Sequence, residues 1–310
     1  MAVSLQNFKQ LAGGVRPDAV LIAGPTASGK SALALEAAQL WGGEIVNVDS
    51  MQIYPVLHVL TARPPEEDLA RVPHHLYGYA DPAVAWSVER WRLDANRIMG
   101  EVKGRGAIPV LVGGTGLYFR ALDEGLSRVP AIPAAIRDEV RQRLERHGSE
   151  TLYAELAALD GRGAAALKPG DSHRIARALE VVLATGQPLS HFQSQTDAPP
   201  LTDGLNCARF ILEPPRPVLH ERINARSAWM LDNGAVEEVE KLLRHNLPKS
   251  MTIMRAIGVP QISDYLAQTI DRHILLERLQ AATRQYAKRQ STWFRGQFDA
   301  RWQRLTFHQG

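Results

Sequence analysis

Three short apolar runs stand out early in the chain: Ala19-Val-Leu-Ile-Ala23, Glu44-Ile-Val-Asn-Val48 and Ile108-Pro-Val-Leu-Val112. Their length, their β-branched side chains and the turn-forming residues beside them predict buried strands rather than helices. The first run leads through Gly24-Pro-Thr-Ala-Ser-Gly-Lys-Ser31 into the helix-like Ala32-Leu-Ala-Leu-Glu-Ala-Ala38, and the third turns through Gly113-Gly-Thr-Gly116 into another helix. Parallel strands need crossover connections, so this alternation predicts an α/β fold with a parallel sheet and helices on both faces. In such sheets ligands collect beyond the carboxyl ends of the strands, where all these turns lie.

From Leu126 onward the pattern changes to helix formers interspersed with arginines, in segments Ala134 to His147, Thr151 to Leu159 and Ser172 to Ala184. Glycine, proline and serine punctuate the joints. Residues 126–203 are therefore read as an all-helical insertion domain, ending in a polar, proline-containing linker from Gln193 to Asp203. Ala208-Arg-Phe-Ile-Leu212 resumes the strand pattern, so the core is assigned to residues 1–125 and 204–310.

Composition changes this picture little. Apolar residues make up 45% and charged residues 22%, an ordinary globular balance. No apolar run approaches the roughly 20 residues needed to span a bilayer, and the N-terminus Met1-Ala-Val-Ser-Leu-Gln6 lacks the marks of a secretory signal. Cys207 stands alone, which rules out an intrachain disulfide and suits a reducing cytoplasm. A net charge of +3 permits nucleic-acid binding without demanding it.

The chemistry begins with Gly24, Gly29, Lys30 and Ser31, which satisfy G-x-x-x-x-G-K-[ST] between a strand and a helix. Glycines let several backbone N–H groups converge on one anion, and the helix adds its positive end. Lys30 supplies mobile charge, and the Ser31 hydroxyl is a candidate Mg²⁺ ligand. The core is thus P-loop NTPase-like, but a diphosphate on any carrier presents the same oxygens. A small-molecule kinase, a transferase with a diphosphate leaving group and a non-catalytic nucleotide-switched RNA-binding module all remain open here.

Asp49 ends the second strand, beside the loop, where a carboxylate can hold a metal, take a proton or cap a helix. Asp49-Ser-Met-Gln-Ile-Tyr54 also offers groups suited to a heteroaromatic base, Gln52 for hydrogen bonds and Tyr54 for stacking. With the phosphate loop, Asp49-Ser-Met-Gln52 resembles the tRNA dimethylallyltransferases, also called isopentenyl-diphosphate:tRNA transferases. The resemblance continues in order through Val72-Pro-His-His-Leu76, Val112-Gly-Gly-Thr-Gly-Leu-Tyr-Phe119, Asp171-Ser-His-Arg-Ile-Ala-Arg-Ala-Leu-Glu180, Ala282-Thr-Arg-Gln-Tyr-Ala-Lys-Arg-Gln290 and Thr292-Trp293.

That resemblance implies transfer of a dimethylallyl group from dimethylallyl diphosphate to N6 of the tRNA adenosine 3′ to the anticodon. Its implied catalytic residues are Asp49, Thr26 and Arg222, with Mg²⁺ as cofactor. The diphosphate falls to Gly24, Pro25, Thr26, Ala27, Ser28, Gly29, Lys30 and Ser31, together with Arg226. The implied tRNA contacts are Asp49, Ser50, Met51, Gln52, Thr115 and Ser172, His173, Arg174, Ile175 and Ala176, with the insertion embracing the anticodon stem-loop. A cytoplasmic monomer without membrane association is expected.

Helical spacing refines the basic residues. On a helix from Leu219 to Met230, Arg226 falls on the apolar face and Arg222 on its edge, toward either a structural carboxylate or the diphosphate. In the last helix Leu275, Leu279, Ala282, Tyr286 and Trp293 line one side, with Arg284, Lys288 and Arg295 opposite. That basic stripe is either a solvated face or a contact to tRNA phosphates, and Arg137, Arg141, Arg143 and Arg146 offer a similar supply in the insertion. His74 and His75 lack metal-ligand helical spacing and read as packing or hydrogen-bonding residues. Two stretches depart from the family pattern: Pro55-Val-Leu-His-Val-Leu60 stands where Arg-Gly-Leu-Asp-Ile-Gly is usual, and Val259-Pro260 where Tyr-Arg is common.

Overall fold

Burial on both faces explains why the strands carry unbroken apolar runs. A computed structural model describes residues 14–127, 129–193 and 198–306; residues 1–6, read above for targeting, and 194–197 of the linker lie outside it. β1 (Ala19–Ala23) is fully buried. Its Ala19, Leu21 and Ala23 join one core with Trp91 and Phe119, while Val20 and Ile22 join a second with Leu33 and Ala37. That is the two-residue period of a strand divided between two helical layers.

After β1 come α1 (Lys30–Trp41), β2 (Gly43–Asn47), α2 (Glu66–Leu69), β3 (His74–His75), α3 (Val88–Gly104), β4 (Ile108–Gly113) and α4 (Gly116–Asp123). After the helices of the insertion, β5 (Cys207–Leu212), α9 (Arg216–Asp232), α10 (Ala235–Leu243), a 3₁₀ turn at Thr252–Arg255, α11 (Val259–Leu266), α12 (Arg272–Gln297) and β6 (Gln303–Leu305) complete the core. The six strands pair in the order β3-β2-β4-β1-β5-β6, every pairing parallel. Strand β4 separates β2, which Asp49 follows, from β1, which leads into the loop. All six β4 residues are buried, and the central place pairs both edges of that strand. Two strands, β3 and β6, have only two and three residues, too few for a periodicity to declare itself.

His74 and His75 form β3 and act as read. The His74 ring lies 2.9 Å from the Val72 carbonyl, and His75 Nε2 lies 2.6 Å from the Glu44 carboxylate. Arg105 binds the same carboxylate through two nitrogens and, with His75, holds Glu44 below the usual carboxylate range against the effect of burial.

The chain divides into two compact units, the second being Glu124–Pro200. The insertion, expected over 126–203, corresponds to a unit of 124–200, and Thr202 belongs to the first unit, where its hydroxyl donates to Asp123 at 2.7 Å. The second unit holds α5 (Ala134–Leu159), α6 (Gly161–Ala165), α7 (Ser172–Thr185) and α8 (Leu189–Gln193). Its core gathers Val140, Leu152, Leu156, Ile175 and Leu179. Gly148, at φ 75° and ψ 175°, breaks α5 between the two segments seen in the sequence. The four arginines of α5 are not equivalent: Arg143 binds both oxygens of Glu155 at 2.8 and 2.9 Å, so its charge is spent within the unit.

Asp123 anchors the chain where it leaves the first unit. Its side chain is 4% exposed and is met by two nitrogens of Arg209, the Thr202 hydroxyl and Arg301. Removing one side of a buried pair leaves the other charge uncompensated, at a cost of about 3–5 kcal/mol. Asp123→Ala is expected to lose about 3 kcal/mol of unfolding free energy in urea titration, and an unchanged midpoint would contradict the burial argument.

Candidate active site

The phosphate loop takes its form from a few tight contacts. A Cβ on Gly24 would come within 2.7 Å of Ser28 Oγ and 3.3 Å of Leu212 Cβ. Ala27 and Gly29 hold left-handed backbone, at φ 63° and 92°, which winds the chain into the first turn of α1. Ser28 Oγ is buried without a hydrogen-bond partner, an orphan acceptor and donor of the kind a bound anion can satisfy. Lys30 donates to the Pro25 carbonyl at 3.4 Å. Burial lowers its ammonium pKa to about 8, with the Asp49 charge opposing that shift and Arg226 adding to it.

Helix α9 brings both arginines to this loop. Arg226 donates to the Thr26 hydroxyl, so its direct partner is the loop rather than a structural carboxylate. Burial holds its guanidinium below the usual value and the Asp49 charge opposes this. Arg222 is exposed and donates to the Ser28 carbonyl at 3.4 Å. Leu219 and Ile223 seat α9 against Ala287 of α12, with Ala27 packed on them.

Asp49 follows β2 and is fixed by Asn47, whose Oδ1 accepts from the Asp49 N–H at 2.9 Å. One Asp49 oxygen accepts from the Met51 N–H at 2.9 Å, so it closes a turn and caps no helix. With burial as the larger cause, its charge raises the hydroxyl pKa of Tyr77, Tyr118 and Tyr286. Ser50 N–H donates to the Thr115 hydroxyl at 3.0 Å, which joins the turn after β4 to the Asp49 loop.

Two chambers meet here. One, of ≈ 490 Å³, is lined by Ser28, Lys30, Ser31, Gln52 and Arg222. The other, of ≈ 280 Å³, is lined by Met51, Leu60, Met230, Leu279, Tyr286 and Arg289. Thr26, Asp49, Thr61 and Arg226 line both. A cationic chamber therefore shares a wall that carries the carboxylate with one of mixed lining, whose apolar side chains stand beside Arg226, Arg255 and Arg289.

Other expected contacts fall differently. Tyr54 is 1% exposed in the core, so it offers no face for stacking. The Gln52 NH₂ group donates to the Thr61 and Ala62 carbonyls at 3.0 and 2.8 Å, which leaves that donor holding the loop rather than a base. Arg284 binds the Asn224 side chain at 2.6 Å and is half-buried, while Lys288 and Arg295 are exposed. The buried stripe of α12 runs through Leu275, Leu279, Thr283, Ala287, Gln290 and Phe294, with Ala282 beside it. In the second unit His173 and Arg174 are exposed and Ser172 is partly so, whereas Ile175 and Ala176 are buried in that unit's core and cannot present side chains to a ligand.

Sequence reasoning missed two residues. Glu238 of α10 accepts from the N–H groups of His58, Val59 and Leu60 at 3.0, 2.7 and 3.0 Å, fixing the altered stretch before Thr61. Gln290 is a buried amide that reaches the phosphate loop. A charged residue on a helix and an amide in an apolar stripe give no local sign of such distant partners.

A magnesium ion suits the oxygen donors present. The Ser31 hydroxyl and Asp49 carboxylate line the cationic chamber, and hard oxygen ligands completed by substrate phosphate and water are what Mg²⁺ takes. Among the described residues no group of three or more His, Cys, Asp or Glu could hold a metal by itself. No helix among them is long and apolar enough to cross a membrane.

Comparison with known proteins agrees with this geometry. The profile of the IPP transferase family matches residues 52–297, and that of isopentenyl transferase matches residues 17–77. A tRNA dimethylallyltransferase of Allorhizobium ampelinum is 50% identical over 288 residues, covering 93% of this chain and 94% of that protein. The crystal structure of the full-length tRNA isopentenylpyrophosphate transferase from Bacillus halodurans superposes with a TM-score of 0.66 at 32% identity, over 93% of this chain and 89% of that one. A eukaryotic dimethylallyltransferase acting on tRNA gives a TM-score of 0.72 at 26% identity, over 89% of this chain and 69% of that one.

The Lys30 environment makes anion binding depend on pH. An anion favours the protonated amine, whose pKa in the free protein is about 8. The dissociation constant for inorganic diphosphate is expected to rise as pH climbs through about 8, with proton uptake on binding above it, and Lys30→Ala to flatten that dependence. Calorimetry in two buffers of different ionisation enthalpy measures both effects. The folding linkage has the opposite sense: between about 8 and the unfolded value of 10.5 the unfolded chain holds more protons, so this group's share of stability rises with pH.

Proposed function

The chain belongs to the IPP transferase family, and from that premise we propose that it transfers the dimethylallyl group of dimethylallyl diphosphate to N6 of the adenosine 3′ to the anticodon in tRNA, releasing diphosphate. The observation that carries this reading is the shared wall: Asp49 and Thr26 stand between a cationic phosphate-loop chamber and a second chamber of mixed polar and apolar lining. A leaving diphosphate and an attacking base suit a carboxylate in that position; a small-molecule kinase would also seat an acceptor there, and the family relationship favours the transferase.

In this reading Gly24 to Ser31 cradle the diphosphate through loop amides, with Lys30, Arg222 and Arg226 neutralising the charge that develops as it leaves. Thr26, held by Arg226, lies at the reacting end of the loop. Ser31 would hold Mg²⁺, which would supply charge neutralisation for the leaving diphosphate. Asp49 accepts a hydrogen bond from adenine N6 and takes its proton as the new C–N bond forms, because that proton becomes acidic only then. The C–O bond to diphosphate breaks in the same displacement. The base must leave its stack, which costs a few kcal/mol. Ser50, Met51, Gln52 and Thr115, with Lys288 and Arg284 on α12, would hold the tRNA near this point. The helical unit would grip the anticodon stem-loop, with His173 and Arg174 supplying exposed polar contacts. All the proposed groups come from one chain, which fits a cytoplasmic monomer.

Incubation with tRNA, Mg²⁺ and labelled dimethylallyl diphosphate is expected to place label in the RNA, and labelled ATP is not. Asp49→Ala is expected to lower the single-turnover rate about 10²–10⁴-fold, the range for a general base, with tRNA affinity nearly unchanged. Near-normal chemistry in that variant would remove Asp49 from the base role. Ser31→Ala is expected to shift the Mg²⁺ titration to higher concentration, and an unmoved titration would deny it the metal.

A further inference from the structure

The amide of Gln290 is divided between the two halves of the site. Its Oε1 accepts from the Thr26 N–H at 2.9 Å, and its Nε2 donates to the Gly114 carbonyl at 2.8 Å. The residue is 6% exposed, in a stripe of α12 that also buries Leu275, Leu279 and Phe294. An apolar side chain would pack there without any polar atom to satisfy, so a buried amide needs both its ends bonded to be tolerated. Here both ends are bonded, and to main-chain groups of two different turns.

The turn after β4 is shaped to receive that amide. A Cβ on Gly114 would lie 2.3 Å from Gln290 Nε2. One on Gly116 would lie 2.2 Å from the Trp293 ring, and one on Gly113 would lie 2.0 Å from the Val48 carbonyl oxygen. Three glycines thus let α12 and the β2 strand end press directly on this turn. The turn in turn presents Thr115, which binds Ser50 beside Asp49 and contacts Tyr286. On the other side, Thr26 carries the Arg226 contact. The Thr26 N–H donates to Gln290, so Gln290 holds the loop through its backbone.

We propose that Gln290 is a positioning residue that sets the spacing between the diphosphate side of the site, at Thr26, and the acceptor side, at Thr115 and Asp49. This rests on the transfer reading above, in which the displaced bond lies between those two sides. A displacement of about 1 Å between reacting groups can cost on the order of 10²-fold in rate.

Gln290→Met keeps the volume and removes both hydrogen bonds, while Gln290→Glu keeps an acceptor for Thr26 and removes the donor to Gly114. In single-turnover transfer from labelled dimethylallyl diphosphate to tRNA, both are expected to lower the rate constant roughly 10–100-fold. Reaction amplitude and tRNA affinity should stay near those of the unaltered chain, since the competent fraction of enzyme is not what changes. A rate constant equal to that of the unaltered chain overturns the proposal, and so does a loss confined to amplitude or a failure of both variants to fold, because each marks Gln290 as structural only. If Gln290→Met alone fails to fold, Gln290→Glu decides by the same measure. If the unaltered chain places no label in tRNA, the transfer reading fails by itself. Gln290 is then judged by calorimetry with inorganic diphosphate and Mg²⁺: about tenfold weaker binding in either folded variant supports its hold on the loop, and equal binding overturns it.

Discussion

Lys30 and Arg226 are brought out of water at the carboxyl end of the sheet, and the carboxylate whose charge reaches both is Asp49. Burial lowers the pKa of each cation, and one aspartate does not restore them. A site with more desolvated positive than negative charge is strained until an anion enters, and in a medium of reduced dielectric that imbalance is worth far more than the same charges in water. The unpaired Ser28 hydroxyl and the left-handed turns at Ala27 and Gly29 belong to the same arrangement. In the transfer reading, diphosphate is the anion that relieves this imbalance, with Asp49 on the acceptor side of it.

Holding that imbalance demands rigid surroundings, and the fold provides them by long-range main-chain contacts. Glu238 collects three successive N–H groups of the stretch before Thr61, and the Gln52 NH₂ group fastens the two carbonyls after it. Arg226 reaches Thr26 from α9, and Gln290 reaches the same residue from α12. Elements far apart in the chain therefore converge on one loop. Each uses a polar group with a fixed geometry, where apolar packing alone would allow sliding.

What was legible in the sequence follows from how local each feature is. The four longer strands show because burial on two faces makes most of their residues apolar, and the phosphate loop shows because its glycines, lysine and serine are contiguous. Asp49 is read from the sequence as lying beside the loop, and it lines the loop's chamber although β4 separates the two strands; nothing within a strand states its neighbour. Tyr54 suggested stacking by residue type and turned out to be buried. Arg143 looked available for phosphates and is held by Glu155. In each case the missing information was a partner elsewhere in the chain, which periodicity cannot carry.

The two departures from the family pattern illustrate the same limit and show what structure adds. In sequence, residues 55–60 and 259–260 are unrelated stretches about two hundred positions apart. In the fold they adjoin: Gly258, at φ 100°, has no room for a Cβ, which would lie 2.4 Å from Leu60 Cδ1, and Val259 begins α11 immediately after it. Leu60 lines the second chamber together with Ala256 and Ile257. A leucine in place of glycine adds bulk on one side of this contact, and the left-handed glycine opposite leaves room to receive it. Leu60 of the first stretch and Val259 of the second are buried in one core, while Pro260 is exposed. Neither stretch includes Lys30, Arg226 or Asp49, the residues in which the charge imbalance resides.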